Sequence, residues 1–320
     1  MAKLSRPRRG SLQYWPRKRA RKVIASVNWN ALSLKNIQDN SKILGFIGYK
    51  VGMKSAYVKD STPDSMTKNK RIAIPATIIE CPAMKIFSVR FYKNGIVKDE
   101  VLASNIDKEL KRKIKFPKKH SKKIDDIKDY DNIKVIVYSI VKTTGIKKSP
   151  DISEMALSGS IENKIKFAKE YFNKELRVKD VFDKMQLVDI RGITKGKGLE
   201  GSVKRFGLGL KGHKSEKGIR RQGSLGQWHP ARVTFRTPMA GQMGMFVRAV
   251  FNSKIIDISN INEKNINPSG GFKNFGNVKT DYLILSGSVQ GPSKRQLIIT
   301  QPLRKTKNTD KKIYELLELR

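Results

Sequence analysis

Cysteine is almost absent from the chain: Cys81 stands alone among 320 residues. That excludes an internal disulfide and every zinc pattern built from paired cysteines, and it fits a reducing compartment. Long apolar runs are missing as well. The longest, Ile133 to Val141, is interrupted by Lys134 and Ser139 and falls far short of the roughly 20 residues a spanning helix needs, so no membrane is expected as a partner. The first 22 residues hold nine basic side chains and are followed only by Val23-Ile24-Ala25. That is too little for the apolar region of a secretory signal, and a cytoplasmic location is expected. Histidine is scarce: His120, His213 and His229 fall in no arrangement that pairs a nucleophile with a base or gathers metal ligands. No catalytic residue, metal, cofactor or small-molecule substrate is expected.

Negative charge is the other shortage. Against 28 Asp+Glu stand 67 Lys+Arg, a net charge of +39. At 38% hydrophobic the chain can still bury a core, but self-repulsion on this scale opposes compaction unless a polyanion neutralises it. Nucleic acid is the partner that composition favours.

The charge is unevenly placed. Met1 to Gln38 carries ten basic residues and no acid, with Pro7, Gly10 and Pro16 breaking any helix near its start. It reads either as a solubilising tail or as an arm that orders on RNA. The interleaving of arginines with Tyr14, Trp15 and Trp29, flat faces for bases or ribose, favours the arm. From Ile43 to Val101 the texture changes to short apolar runs bounded by Gly and Pro, such as Ile43-Leu44-Gly45-Phe46-Ile47-Gly48 and Phe87-Ser88-Val89-Arg90-Phe91-Tyr92, which read as strands of a sheet or barrel. Ser104 to Lys184 holds 21 basic and 13 acidic residues. A buried strand is expected there over Ile133–Val141, and a helix behind Ser160 with Ile161, Ile165, Ala168 and Phe172 on one face.

Arg191 to Val250 contains 12 of the 24 glycines, 13 basic residues and two acids. Expected strands at Leu187–Arg191 and Phe246–Phe251 make it an internal loop, and a loop of this length and charge is functional or disordered. Strands at Tyr282–Leu285 and Gln296–Thr300 and a helix over Lys311–Leu319 follow. The expected division is a basic arm at 1–38, a split β body at 39–103 and 185–300, an α/β insertion at 104–184, the basic glycine-rich loop at 192–245, and a C-terminal tail and helix at 301–320.

Candidate RNA-binding residues follow from chemistry. In the arm they are Arg6, Arg8, Arg9, Arg17, Lys18 and Arg19 for phosphate, with Trp15 for stacking. In the loop they are Lys195, Lys197, Lys204, Arg205, Lys211, Lys214, Lys217, Arg220, Arg221, Arg232 and Arg236, with His213 and His229 as donors to phosphate or ribose. Trp228, beside His229 and Pro230, is either a face on which a base stacks or an anchor that packs the loop. Gly196-Lys197-Gly198-Leu199-Glu200-Gly201 also matches the dinucleotide fingerprint, and the rival reading is an RNA-modifying enzyme that holds a nucleotide cofactor at 196–201. The fingerprint requires its third glycine to open an apolar helix and an acid about 20 residues on. Ser202-Val203-Lys204-Arg205-Phe206-Gly207 leaves no room for such a helix, and Glu216 sits among lysines.

Several of these stretches resemble one family. Gly192-Ile193-Thr194-Lys195-Gly196-Lys197-Gly198, Gly201-Ser202-Val203-Lys204-Arg205-Phe206-Gly207 and Gly226-Gln227-Trp228-His229-Pro230-Ala231-Arg232-Val233 are similar to the signature of the large-subunit ribosomal protein L3 family. Ser5-Arg6-Pro7-Arg8-Arg9-Gly10-Ser11-Leu12, Gly45-Phe46-Ile47-Gly48-Tyr49-Lys50-Val51-Gly52-Met53 and Ala240-Gly241-Gln242-Met243-Gly244 extend the resemblance. With no long eukaryotic-type C-terminal extension in the resemblance, an archaeal-type member is expected. The resemblance implies a mainly β fold with an α/β insertion: a closed β-barrel of the translation-protein type with two extended segments that penetrate RNA. It further implies large-subunit rRNA and neighbouring ribosomal proteins as partners, a role in assembly, and support of the peptidyl transferase centre by the internal loop with Trp228 at its tip. Glu216 stands where eukaryotic members carry a modified histidine, so that modification is not carried over.

Overall fold

The computed structural model describes residues 10–35, 41–117 and 123–320. Arg6, Arg8, Arg9 and His120 lie outside them. The strands in chain order are β1 (Gly45–Asp60), β2 (Arg71–Cys81), β3 (Met84–Lys93), β4 (Ile96–Leu102), β5 (Asn132–Ser139), β6 (Ile152–Ala156), β7 (Leu187–Ile193), β8 (Leu199–Glu200), β9 (Gly241–Gln242), β10 (Val247–Asn260), β11 (Asp281–Ser286), β12 (Gln296–Thr300) and β13 (Tyr314–Leu319). The α-helices are short: α1 (Trp29–Lys35), α2 (Ile161–Tyr171), α3 (Ser202–Phe206) and α4 (Lys307–Asp310). The fold is mainly β. The chain separates into two units, one made by residues up to Lys22 with Ile193–Val247, the other by Val23–Gly192 with Arg248–Arg320.

The larger unit contains two sheets. One has seven strands in the order β12-β7-β10-β11-β2-β1-β13, with β12 also paired to β1; the other has the order β4-β3-β5-β6. Burial along β11 is unbroken from Asp281 to Leu285. Because successive strand residues face opposite sides, this means that the first sheet is covered on both faces where β11 runs. Leu283 and Leu285 join the core that also holds Phe91, Val135 and Val137 of the second sheet. Tyr282 and Ile284 face a separate cluster with Val58, Ile78, Ile256 and Phe272.

A buried polar group ties the two sheets together. The Tyr49 hydroxyl donates to Asp151 Oδ2 at 2.7 Å and lies 2.7 Å from Ser139 Oγ. Lys147 and Lys113 pair with the same carboxylate. Burial, reinforced by the negative Asp151, raises the Tyr49 pKa well above its usual value, so the phenol stays a donor. A satisfied network of this kind fixes one packing of the sheets where apolar contact alone would tolerate several.

The Ser160 cap is where the sequence places it: its side chain accepts from the Asn163 amide at 3.4 Å and α2 begins at Ile161. The run Phe87–Tyr92 is a strand as its pattern implies, part of β3, which pairs with β4 and β5 in the second sheet; an apolar run identifies a strand but not its partner. Two expectations need correction. Trp29 is not an RNA-facing aromatic. It is 7% exposed, and Gly45 is required beneath it because a Cβ there would lie 2.7 Å from the indole. The expected helix over Lys311–Leu319 is instead β13, antiparallel to β1. Ile313, Leu316 and Leu317 have helical spacing, but Leu317 is the extra residue of a bulge where Tyr57 faces Glu318 and Val58 faces Leu316, and a bulge erases the strand's alternation from the sequence.

Candidate nucleic-acid interface

The smaller unit starts as a narrow ribbon. Thr194 N–H donates to Phe246 O, Lys197 N–H to Met243 O and Met243 N–H to Gly198 O at 2.8 to 3.0 Å, and β8 pairs with β9. Gly244, at φ +75°, permits this closure, since a Cβ there would overlap the Lys195 carbonyl oxygen. The helix after the fingerprint, α3, has five residues and ends on the left-handed Gly207. No apolar helix follows Gly201 to receive a pyrophosphate.

Phe206 is 5% exposed but is not a member of either large core cluster among the described residues. It is covered by the arm. The Arg17 guanidinium lies 4.3 Å above its ring and Trp15 packs at 5.9 Å, with Phe235 6.2 Å from Trp15. The two arginines exchange bonds. Arg17 Nη1 donates to Arg205 O at 3.1 Å and Arg205 Nη2 donates to Arg17 O at 3.2 Å. Arg205 also donates to Gln242 O and Met239 O, and its burial lowers its pKa from the ordinary arginine value. Ala20 N–H completes the clasp by donating to Met245 O at 2.9 Å. Arg17, Arg205 and Trp15 thus brace arm against loop, a role sequence spacing does not disclose because the partners are far apart in the chain.

Beyond Gly207 the loop has almost no interior. Apart from partly covered Leu208, Ser215, Gln222, Thr237 and Pro238, every residue from Gly207 to Ala240 is exposed. Its shape is held by a few bonds, such as Lys211 N–H to Ile219 O and Thr237 Oγ1 to Leu225 O. Trp228 is 83% exposed and borders a cavity of about 300 Å³ lined by Leu225 to Gln227 and Pro230 to Val233. It is therefore not a core anchor of the described loop. Lys195, Lys197, Lys211, His213, Lys214, Lys217, Arg220, Arg221, His229 and Arg232 are exposed, with no carboxylate partner among the described residues. Arg236 lies over Phe235, and Lys204 is paired with Glu200. Lys18 and Arg19 are exposed on the arm. The result is a dense array of cations and flat apolar faces carried on backbone with little core of its own. Isolated exposed apolar groups are ordinary, whereas here they are concentrated on one coreless basic segment.

Among the described residues no group of His, Cys, Asp and Glu has the arrangement of a metal site, and no helix is long and apolar enough to cross a membrane.

The model of the family Ribosomal protein L3 matches residues 1–320. The chain belongs to the ribosomal protein L3 family. Its relatives include the large ribosomal subunit protein uL3 of Methanocaldococcus jannaschii, 39% identical over 316 residues and covering 94% of this chain and 92% of the relative. The uL3 proteins of Methanobrevibacter smithii and Picrophilus torridus are 40% and 38% identical, covering 95% and 96% of this chain and 94% of each relative. Membership of this family of ribosomal proteins leaves the cofactor-enzyme alternative without support.

Proposed function

We propose that the chain is a non-catalytic structural constituent of the large ribosomal subunit in the cytoplasm, where it binds large-subunit rRNA and neighbouring ribosomal proteins. The observation that carries this reading is the coreless loop from Gly207 to Ala240, whose exposed cations have almost no acidic partners and whose base is braced by the arm. Lys and Arg contact phosphates, glycines let backbone approach a crowded polyanion, and aromatic faces stack on unpaired bases.

The arm and loop are the two segments that enter RNA, and the larger unit is the folded body of the protein. In that body β1, β2, β11, β10, β7 and β12 close a barrel, a reading supported by the second pairing of β12, to β1 as well as β7. β3, β4, β5 and β6 with α2 form the inserted α/β part. Trp228 stands at the loop tip and supports the peptidyl transferase centre by positioning RNA, with the chemistry left to the RNA itself.

The test is assembly. The full chain, added to large-subunit rRNA and the remaining subunit proteins, co-sediments with the particle through a high-salt gradient, and the loop from Lys211 to Arg236 passes from protease-sensitive to protected. Failure to co-sediment refutes the reading.

A further inference from the structure

Among the cation–aromatic pairs of the larger unit, one sets its ring in the open. Phe251 of β10 is 58% exposed, and the guanidinium of Arg191, on β7, lies 6.0 Å from its ring centroid. Arg191 is largely covered, its side chain 14% exposed, and it is held rather than free. Its Nη1 donates to Thr300 Oγ1 at 2.6 Å, while Thr300 Oγ1 donates to the Asp189 carbonyl oxygen at 3.3 Å.

Asp189 organises this corner. Its fully buried carboxylate accepts from Asn252 N–H and from Leu303 N–H, each at 3.0 Å, and lies 4.0 Å from Arg191 Nη2. One carboxylate thereby pins the backbone next to Phe251, the chain beside Arg304, and the guanidinium under the ring. Asn252 adopts φ +55° and keeps a buried Oδ1 without a partner. Strain and an unsatisfied acceptor beside an exposed aromatic are costs that structures retain at binding sites. The segment leading from Leu303 is basic: Gln301 to Lys312 has five Lys or Arg and one acid. Arg304, Lys305 and Lys307 are exposed, without an ion-pair partner among the described residues.

We infer that Phe251, backed by Arg191 and fixed by Asp189, is a stacking platform for an unpaired RNA base, with Arg304 and Lys305 contacting the phosphates that flank it. An exposed aromatic alone would equally suit an apolar protein partner. The cation behind the ring and the unpaired cations beside it favour a polyanion that carries flat bases. The inference rests on the reading of the chain as an rRNA-binding protein and adds a contact site to its body.

The experiment measures binding of the full chain and its variants to purified large-subunit rRNA over a range of salt. Phe251→Ala should weaken binding about 5-fold to about 150-fold, the range for loss of one stacked base. The salt slope should stay unchanged because the substitution takes no cation away from a phosphate. Phe251→Tyr, which keeps the face, should stay within about 3-fold of the unsubstituted chain, while Phe251→Leu, which keeps bulk without a π-face, should lose nearly as much as alanine. Affinity within about 2-fold for Phe251→Ala, in a background where the unsubstituted chain binds, overturns the platform and leaves the rRNA reading standing. Full affinity in Phe251→Leu also overturns it, because apolar bulk without a π-face would then suffice. Absence of salt-dependent binding by the unsubstituted chain overturns the rRNA reading and the platform with it.

Discussion

The Arg17 guanidinium lies 4.3 Å above the Phe206 ring while donating to the Arg205 carbonyl oxygen. This places one arginine of the arm as the lid of the only well-buried aromatic in the described part of the loop. A charge-assisted hydrogen bond and a cation–π contact are each worth on the order of 1 to 2 kcal/mol where partly desolvated. Arg17→Ala is therefore expected to free the arm from the loop. Exchange of the Ala20 amide, which donates to Met245 O, should accelerate about tenfold or more, while amides of β11 keep wild-type protection. Unchanged exchange at Ala20 would show that the aromatic packing of Trp15 suffices.

Gly244 makes a separate prediction about the base of the loop. At φ +75°, with the Lys195 carbonyl where a Cβ would stand, Gly244→Ala should destabilise the ribbon by more than about 1 kcal/mol. Amide exchange at Lys197 and Met243 reads this locally. Wild-type protection there would mean that the ribbon relaxes around the methyl group at no cost.

A pH-dependent term lies at the far end of β1. The Asp60 carboxylate accepts hydrogen bonds from Thr62, Thr67 and Ser65, which hold its pKa well below the usual carboxylate value. A group whose folded pKa is depressed stabilises the fold above its unfolded pKa, about 3.9, and loses that contribution as pH falls through the lower folded value. Asp60→Asn should therefore be less heat-stable than the parent at pH 6, and the gap in Tm should narrow as pH drops below about 4. A gap independent of pH would show that Asp60 acts through packing alone.

Trp228 tests the loop tip. With its side chain 83% exposed, Trp228→Ala removes no core and should leave unfolding and subunit incorporation intact. It should remove on the order of 1 to 3 kcal/mol of local RNA interaction, read as altered peptidyl transfer or inhibitor response in purified subunits of matched protein content. Trp228→Phe should restore much of the function. Normal activity in the alanine variant would limit the loop to an assembly role.

Elements with local determinants were legible in the sequence. Ser160 capped a helix with its own Asn163 amide, β5 and β7 lay on compact apolar runs, and the glycine-rich basic segment announced an unusual loop. What escaped depends on partners remote in sequence. The bracing of Arg17 against Arg205 is silent in the sequence because their exchanged carbonyl bonds join distant segments, and Trp29 reads there as a binding face because Gly45, the space it fills, gives no signal of its own. Leu317 shows the other limit, since one bulged residue converts a strand's alternation into apparent helical spacing. In the sequence Phe251 is a single aromatic closing an expected strand; the Asp189 network that fixes it beside Arg191 joins residues too remote for spacing to disclose.

Neutralisation of RNA phosphates by the exposed cations of the loop is tested most directly by the salt dependence of binding to large-subunit rRNA. The logarithm of the association constant should fall linearly with the logarithm of salt concentration. Replacing Lys211, Lys214, Lys217, Arg220 and Arg221 together by glutamine should reduce the magnitude of that slope by up to roughly 0.7 to 0.9 for each phosphate no longer neutralised. These side chains are exposed and support no core, so the variant should keep the parent's unfolding transition. A slope unchanged by their removal would contradict a phosphate-binding role for the loop.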